Sequence, residues 1–140
     1  MRYKQGKYFP SKPRKYKGDY RNIKYRSGWE LKFMRFCDSN PNITEWGSEE
    51  VKIPYISPVD NKWHTYYPDF YLKTNGKKYI VEVKPFKQTK EPKKQRKVTK
   101  GYINEVMTWG VNQAKWKYAI EFCEDRNMEF MLITEKELKP

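Results

Sequence analysis

Apolar and polar positions alternate on both sides of Asn75-Gly76, and this alternation predicts the centre of the fold. Trp63 to Leu72 reads as one strand and Lys77 to Lys84 as the next. Asn-Gly suits a two-residue type I′ turn between them, because both central residues of that turn need positive φ. Such a turn pairs Thr74 with Lys77, and counting outward sets Asp69 opposite Glu82. Directly opposed residues point to the same face, with Cβ atoms about 4.5–5.5 Å apart. In the second strand Tyr79, Val81 and Val83 share one face, while Ile80, Glu82 and Lys84 share the other.

The same reading extends outward. Ser27-Gly28-Trp29-Glu30 opens a helix with Leu31, Phe33, Met34, Phe36 and Cys37 as its apolar positions, and Asn40-Pro41 ends it. Ser27 and Glu30 have the spacing of a capping box. Asn42 to Ser48 is a brief strand or turn. Val51 to Ile56 alternates as a strand, and Pro54 places it at an edge or at a break. Tyr102 to about Asp125 is a long helix with Ile103, Val106, Met107, Val111, Ala114, Tyr118, Ile120 and Phe122 as a broad apolar face. Its residues Trp109, Asn112, Lys115 and Trp116 share one side. Met128 to Ile133 is a last strand, expected parallel to its neighbour as a crossover. The pattern is therefore α/β in class (α+β-like): a helix, a three-stranded antiparallel meander, a helix and a further strand.

Length and charge narrow the partners. The chain has 140 residues, suited to one domain with a modest core. We divide it into a basic N-terminal arm over residues 1–19 and a single domain over 20–140. Net charge is +13, which on so small a chain points to a polyanion, most simply nucleic acid. Mean hydropathy is −1.10, and no apolar run approaches the ~20 residues of a membrane span. Aromatic residues at 17% argue against disorder. Cys37 and Cys123 lack metal-ligand spacing and read as buried free thiols. Two stretches concentrate the cations. The arm, with Arg14 and Lys15, either grips phosphates or wraps the domain. The segment 85–100 carries Lys87, Lys93, Lys94, Arg96, Lys97 and Lys100, and it leaves the hairpin beside Lys84. A loop of that length is usually functional or mobile, so a phosphate clamp and a solvated charge run are both open readings.

Asp69 opposite Glu82 needs a reason, because opposed like charges destabilise a sheet. A divalent cation removes the penalty, since Mg²⁺ is held by one or two carboxylates plus substrate phosphates. The plain alternative is a wet hairpin face with ordinary charges. Cation-assisted phosphodiester hydrolysis would use the carboxylates to hold the metal, and Lys84 to stand near the attacking water or the developing negative charge.

These residues also carry a resemblance. Pro68-Asp69 followed by Glu82-Val83-Lys84 resembles the PD-(D/E)XK nuclease motif, which implies a restriction-endonuclease-like core. The wider set is Arg26-Ser27-x-Trp29-Glu30, Glu45-Trp46-Gly47-Ser48-Glu49, Ile53-Pro54-Tyr55, Pro68-Asp69-Phe70, Glu82-Val83-Lys84-Pro85 and Trp109-x-Val111-Asn112-x-x-Lys115-Trp116. It resembles the head completion nucleases of T-even-type tailed phages, from about Tyr16 to the C-terminal strand. More distantly the chain resembles the nuclease domain of transposase A subunits and archaeal Holliday-junction resolvases. The resemblance implies a metal-dependent deoxyribonuclease, endonucleolytic or exonucleolytic, with little sequence specificity, acting in head completion and head–tail joining. It implies Mg²⁺, with Mn²⁺ able to substitute, on Asp69, Glu82 and Glu30, and Lys84 as the residue that positions or activates water. Asn112 and Trp116 would face the site and Lys115 would contact phosphate, with Gln113 an adjacent candidate. Double-stranded DNA would be the substrate, and phage head or connector proteins the partners. The place of action would be the host cytoplasm during assembly, or the virion. Two competing functions are a non-catalytic basic DNA-binding head-completion protein and a dimeric junction resolvase. Intact Asp69, Glu82 and Lys84 argue against the first, and nothing in the chain marks a dimer surface for the second.

Overall fold

The computed structural model describes residues 5–138. In chain order the elements are β1 (Gly6–Tyr8), β2 (Ile23–Tyr25), α1 (Gly28–Ser39), β3 (Ile43–Ser48), β4 (Ile53–Ile56), β5 (Trp63–Tyr66), β6 (Phe70–Thr74), β7 (Lys77–Val83), α2 (Lys100–Asp125), β8 (Glu129–Ile133) and α3 (Glu135–Leu138). Short 3₁₀ turns occupy Pro13–Lys15 and Phe86–Thr89. The central sheet runs β3-β6-β7-β8, antiparallel through its first three strands and parallel between β7 and β8.

The hairpin turn forms as its chemistry requires. Asn75 has φ 51° and Gly76 φ 77°, and Thr74 pairs with Lys77. The register continues to Phe70 opposite Val81, so Asp69 stands at the strand entrance opposite Glu82. Burial pins this register. Ile80 and Val81 are both 0% exposed, on opposite faces of β7. A one-residue slip would exchange every side chain between the faces and press Glu82 into the apolar layer. Each large apolar side chain displaced from burial costs about 1.5–3 kcal/mol.

The expected meander needs correction. Trp63 to Leu72 is not one strand. β5 ends at Tyr66, and β6 starts at Phe70 in a different sheet, because Pro68 lacks the N–H that a central ladder needs. β4 and β5 pair with each other as a separate ribbon. Asn42 to Ser48 supplies the third antiparallel strand, β3, in their place.

Two cores sandwich the sheet. On one face α1 packs Phe33, Met34 and Cys37 against Trp46, Phe70, Leu72 and Val81. On the other, α2 brings Trp116 and Ala119 to Ile53, Tyr55 and Tyr66. The buried stripe of α2 is Asn112, Trp116, Ala119 and Cys123. This corrects the expected broad apolar face, since Ile103, Val106, Met107 and Ile120 are exposed, as is Phe36 of α1. Cys37 and Cys123 are buried free thiols, as expected.

Residues 5–19 pack onto the domain rather than standing off it. β1 pairs with β2, and Tyr16 is 7% exposed, edge-on to Trp46 at 4.8 Å. The Lys15 ammonium donates to the carbonyls of Cys37 (2.8 Å), Asp38 (3.1 Å) and Asn40 (2.9 Å). It thereby caps the C-terminal end of α1, where backbone oxygens lack partners and a cation is favoured. All three ammonium donors are used, so Lys15 is a structural cap and leaves the DNA-gripping set. Arg14 is exposed.

Candidate active site

Local backbone chemistry brings the two acids together. Pro68 is fully buried and turns the chain from the β4–β5 ribbon into the central sheet, delivering Asp69 to the mouth of β6. The Val83 amide donates to Asp69 Oδ2 at 2.8 Å, and the Asp69 amide donates to Glu82 Oε1 at 3.2 Å. Each carboxylate is thus held by the backbone of the other's strand. Glu82 is 5% exposed, and the Lys84 ammonium lies 3.6 Å from its Oε2. The Lys84 amide donates to the Ile133 carbonyl at 2.9 Å, which continues the β7–β8 ladder and fixes the lysine's backbone beside the acids.

Electrostatics mark the pair as unrelieved. Burial holds the Asp69 carboxyl well above its ordinary range, and the Glu82 charge adds to this. The Glu30 charge pushes the same way, while the Val83 amide and Lys84 oppose it. Burial also raises Glu30, with the charges of Glu49 and Glu82 contributing and the Arg26 amide opposing. Lys115 reaches the site from α2. Burial lowers its pKa, as does repulsion from Lys84, while Glu82 and Asp69 hold it up. Its ammonium lies over the rings of Tyr55 (5.9 Å) and Tyr66 (5.5 Å).

Glu30 differs from its expected geometry. The Glu30 amide donates to Ser27 Oγ at 3.1 Å, which is half of a capping box. The Glu30 carboxylate accepts from the amide of Arg26 (3.3 Å), one residue before the usual partner. Arg26 also pairs with Glu49, whose φ of 57° places it in the left-handed region. Among the described residues no three His, Cys, Asp or Glu side chains converge enough to hold a metal by themselves. Asp69 and Glu82 remain as a hard-oxygen pair. Such a pair fits Mg²⁺ or Mn²⁺, which bind one or two carboxylates and leave other positions to water and phosphate.

Asn112 and Trp116 lie on the buried face of α2 with Lys115 beside them. Lys87 and Lys93 line a groove next to the site, while Lys94, Arg96, Lys97 and Lys100 are exposed around it. His64 pairs with Asp60 at 2.8 Å on the β4–β5 ribbon. Tyr66 was not expected. Its hydroxyl and the Trp116 indole N–H are buried without hydrogen-bond partners, and burial together with the nearby Glu82 charge pushes the Tyr66 phenol strongly up. On a continuous strand residues 66 and 69 would face opposite ways. The break at Pro68 lets both approach Glu82, and that proline was the available signal.

Comparison with known proteins identifies the family. Residues 40–135 match the model of the family described as TnsA-like endonuclease N terminal. The head completion nuclease of Enterobacteria phage T4 is 40% identical over 139 residues, covering 96% of this chain and 93% of that protein. No solved structure matches. The match spans β3 to β8 and includes Asp69, Glu82 and Lys84, so the chain belongs to the TnsA-like N-terminal endonuclease family, with its restriction-endonuclease-like fold.

Proposed function

We propose that this protein is a divalent-cation-dependent deoxyribonuclease that hydrolyses phosphodiester bonds with little sequence preference during phage head completion. One observation carries the chemistry. Asp69 and Glu82 face each other at the mouth of the β6–β7 hairpin, each fixed by the other strand's amide, with Lys84 3.6 Å from Glu82. The head-completion role rests on the likeness to the phage T4 nuclease.

Asp69 and Glu82 would hold the cation. When bound, a divalent ion polarises a phosphoryl oxygen and lowers the pKa of bound water. Lys84 orients the attacking water and offsets negative charge as it builds on the phosphate. Lys115 meets a non-bridging oxygen from the helix side. The backbone bonds to Asp69 and Glu82 keep both carboxylates in place before substrate arrives, so little reorganisation remains at the moment of reaction. The strongly basic surface gathers duplex DNA through phosphates, which carry no sequence information. We place the reaction in the host cytoplasm during assembly, with head or connector proteins presenting the DNA.

The test is digestion of supercoiled and linear DNA with Mg²⁺, Mn²⁺, Ca²⁺ or chelator, for wild type and Asp69→Asn. Cleavage that needs Mg²⁺ or Mn²⁺ and disappears in the variant is the expected result. Tight, salt-sensitive binding by both proteins with no cutting under any metal would mean a binding module on a nuclease fold.

A further inference from the structure

A groove of about 800 Å³ runs along α2, between that helix and the segment that follows Lys84. Its floor is the helix from Gly101 to Asn112, about 16 Å long at 1.5 Å per residue. Its wall is the β7–α2 segment, beginning with Phe86 and Lys87. The Asn112 end is the one nearer the site, because Asn112 is one helical turn from Lys115 and Trp116, and Phe86 is two residues past Lys84. Three features say what enters. Lys87, Lys90 and Lys93 outnumber the opposing Glu91 and Glu105, so the groove attracts a polyanion. Trp109 presents an aromatic surface on the floor, and Phe86 opposite it carries Lys136 (3.5 Å) and Lys90 (5.2 Å) over its ring. Asn112 is 6% exposed and lines the groove, yet its side-chain amide has no hydrogen-bond partner among the described residues. Its polar atoms are not among the fully buried orphaned ones, so they are open to the groove, where the edge of a base can pair with them.

Size decides between single and double strands. The volume of about 800 Å³ is on the scale of a small-molecule cleft, about 300–1,000 Å³, and cannot enclose a duplex. A few unpaired nucleotides fit, and alternating cations and aromatic faces are how proteins hold single strands. We propose that the groove receives an unpaired DNA strand, so that the preferred substrate is a duplex whose end is frayed or overhanging at the scissile phosphate. The inference rests on the nuclease reading for its biological meaning, and goes beyond it in naming the form of the DNA.

The experiment is fluorescence anisotropy in chelator, where nothing is cut. A blunt labelled duplex is compared with the same duplex bearing an oligothymidine overhang on either strand. Wild type should bind an overhanging duplex about tenfold more tightly than the blunt one, the scale of one stacked base. Thr108→Trp fills the groove from an exposed helix position. It should erase the preference and leave blunt-duplex affinity and Tm unchanged. Asn104→Trp, one turn away and also exposed, does the same test should the first variant fold poorly. Equal affinity of wild type for both duplexes overturns the proposal, and so does a folded groove-filling variant that keeps the preference. Digestion of the same substrates separates the two ideas. Overhang preference without cleavage under Mg²⁺ or Mn²⁺ sinks only the nuclease reading, whereas cleavage without overhang preference sinks only this one.

Discussion

Two buried acidic sites of this protein use their carboxylates in opposite ways. Asp38, at the end of α1, is 2% exposed, and its oxygens accept from the Tyr8 hydroxyl (2.8 Å), the Ser11 amide (2.7 Å) and the Lys12 amide (3.1 Å). It ties the N-terminal segment to the helix, and among the described residues no other carboxylate shares its donors. Asp69 and Glu82 are held by one amide each and face each other, and Lys84 lies 3.6 Å from Glu82 alone. Burial and the partner's charge leave Asp69 reluctant to ionise. A satisfied acid is finished as structure. An unsatisfied pair stores repulsion that a bound cation can relieve.

The largest effect should come from breaking the unsatisfied pair. Asp69→Asn keeps an oxygen for the Val83 amide but removes the negative charge, so cleavage should fall by about 10²–10³ or more, the cost of losing one preorganised charge-stabilising group. Stability should hold or rise, because the repulsion of Glu82 is gone. Mg²⁺ should raise the Tm of wild type and not of the variant, since only a ligand bound to the folded state stabilises it. A variant with unchanged cleavage would remove Asp69 from the site.

Breaking the satisfied acid should give the mirror image. Asp38→Ala leaves the Tyr8 hydroxyl and two amides without their acceptor, which costs about 3 kcal/mol, the low end of about 1–3 kcal/mol per orphaned donor, since all three bonds are only partly buried. Calorimetry should show Tm lower by roughly 10 °C. Below that transition, cleavage per folded molecule should be unchanged. Equal loss of activity would mean that the N-terminal segment reaches the chemistry as well.

Lys84 sharpens the contrast within the site. Its ammonium is a neighbour of Glu82 and not a ligand, so Lys84→Ala should lower turnover by about a hundredfold, in the range of a lost proton-handling group. The Mg²⁺ concentration for half-maximal cleavage should move much less. Equal changes in both would make Lys84 a support for the metal instead of a partner of the water.

What the sequence displayed follows the range of the forces involved. The hairpin was legible because Asn75-Gly76 dictates its own turn, and the turn dictates that Asp69 meets Glu82. The split of residues 63–72 between two sheets was not, because alternation continues through Tyr66 and Phe70 while the chain changes partner at Pro68. The face of α2 was misread for a related reason. Ile103, Val106 and Met107 have the right spacing for burial, but the core packs against the helix only from about Trp109 onward. Lys15 looked like any other cation of a basic stretch. Only the fold shows that the end of α1 is waiting for it.

That last contrast, between a cation used up by the fold and cations left to solvent, sets the smallest prediction. Lys93, Lys94, Arg96 and Lys97 lie exposed in the segment between β7 and α2, whereas Lys15 directs its three donors to carbonyls. Neutralising the four exposed residues together should leave Tm within a degree or two, because surface charges contribute little to folding. It should flatten the dependence of log K on log salt by about 0.9 for each phosphate that the protein no longer neutralises, as fewer counterions are released. Lys15→Ala should do the reverse, lowering Tm and leaving the salt slope alone. An unchanged slope in the fourfold variant would make the segment solvated charge, and the basic grip on DNA would then have to lie elsewhere on the surface. A changed slope in Lys15→Ala would mean that the cap opens to let that ammonium reach a phosphate, at the expense of the helix end it holds.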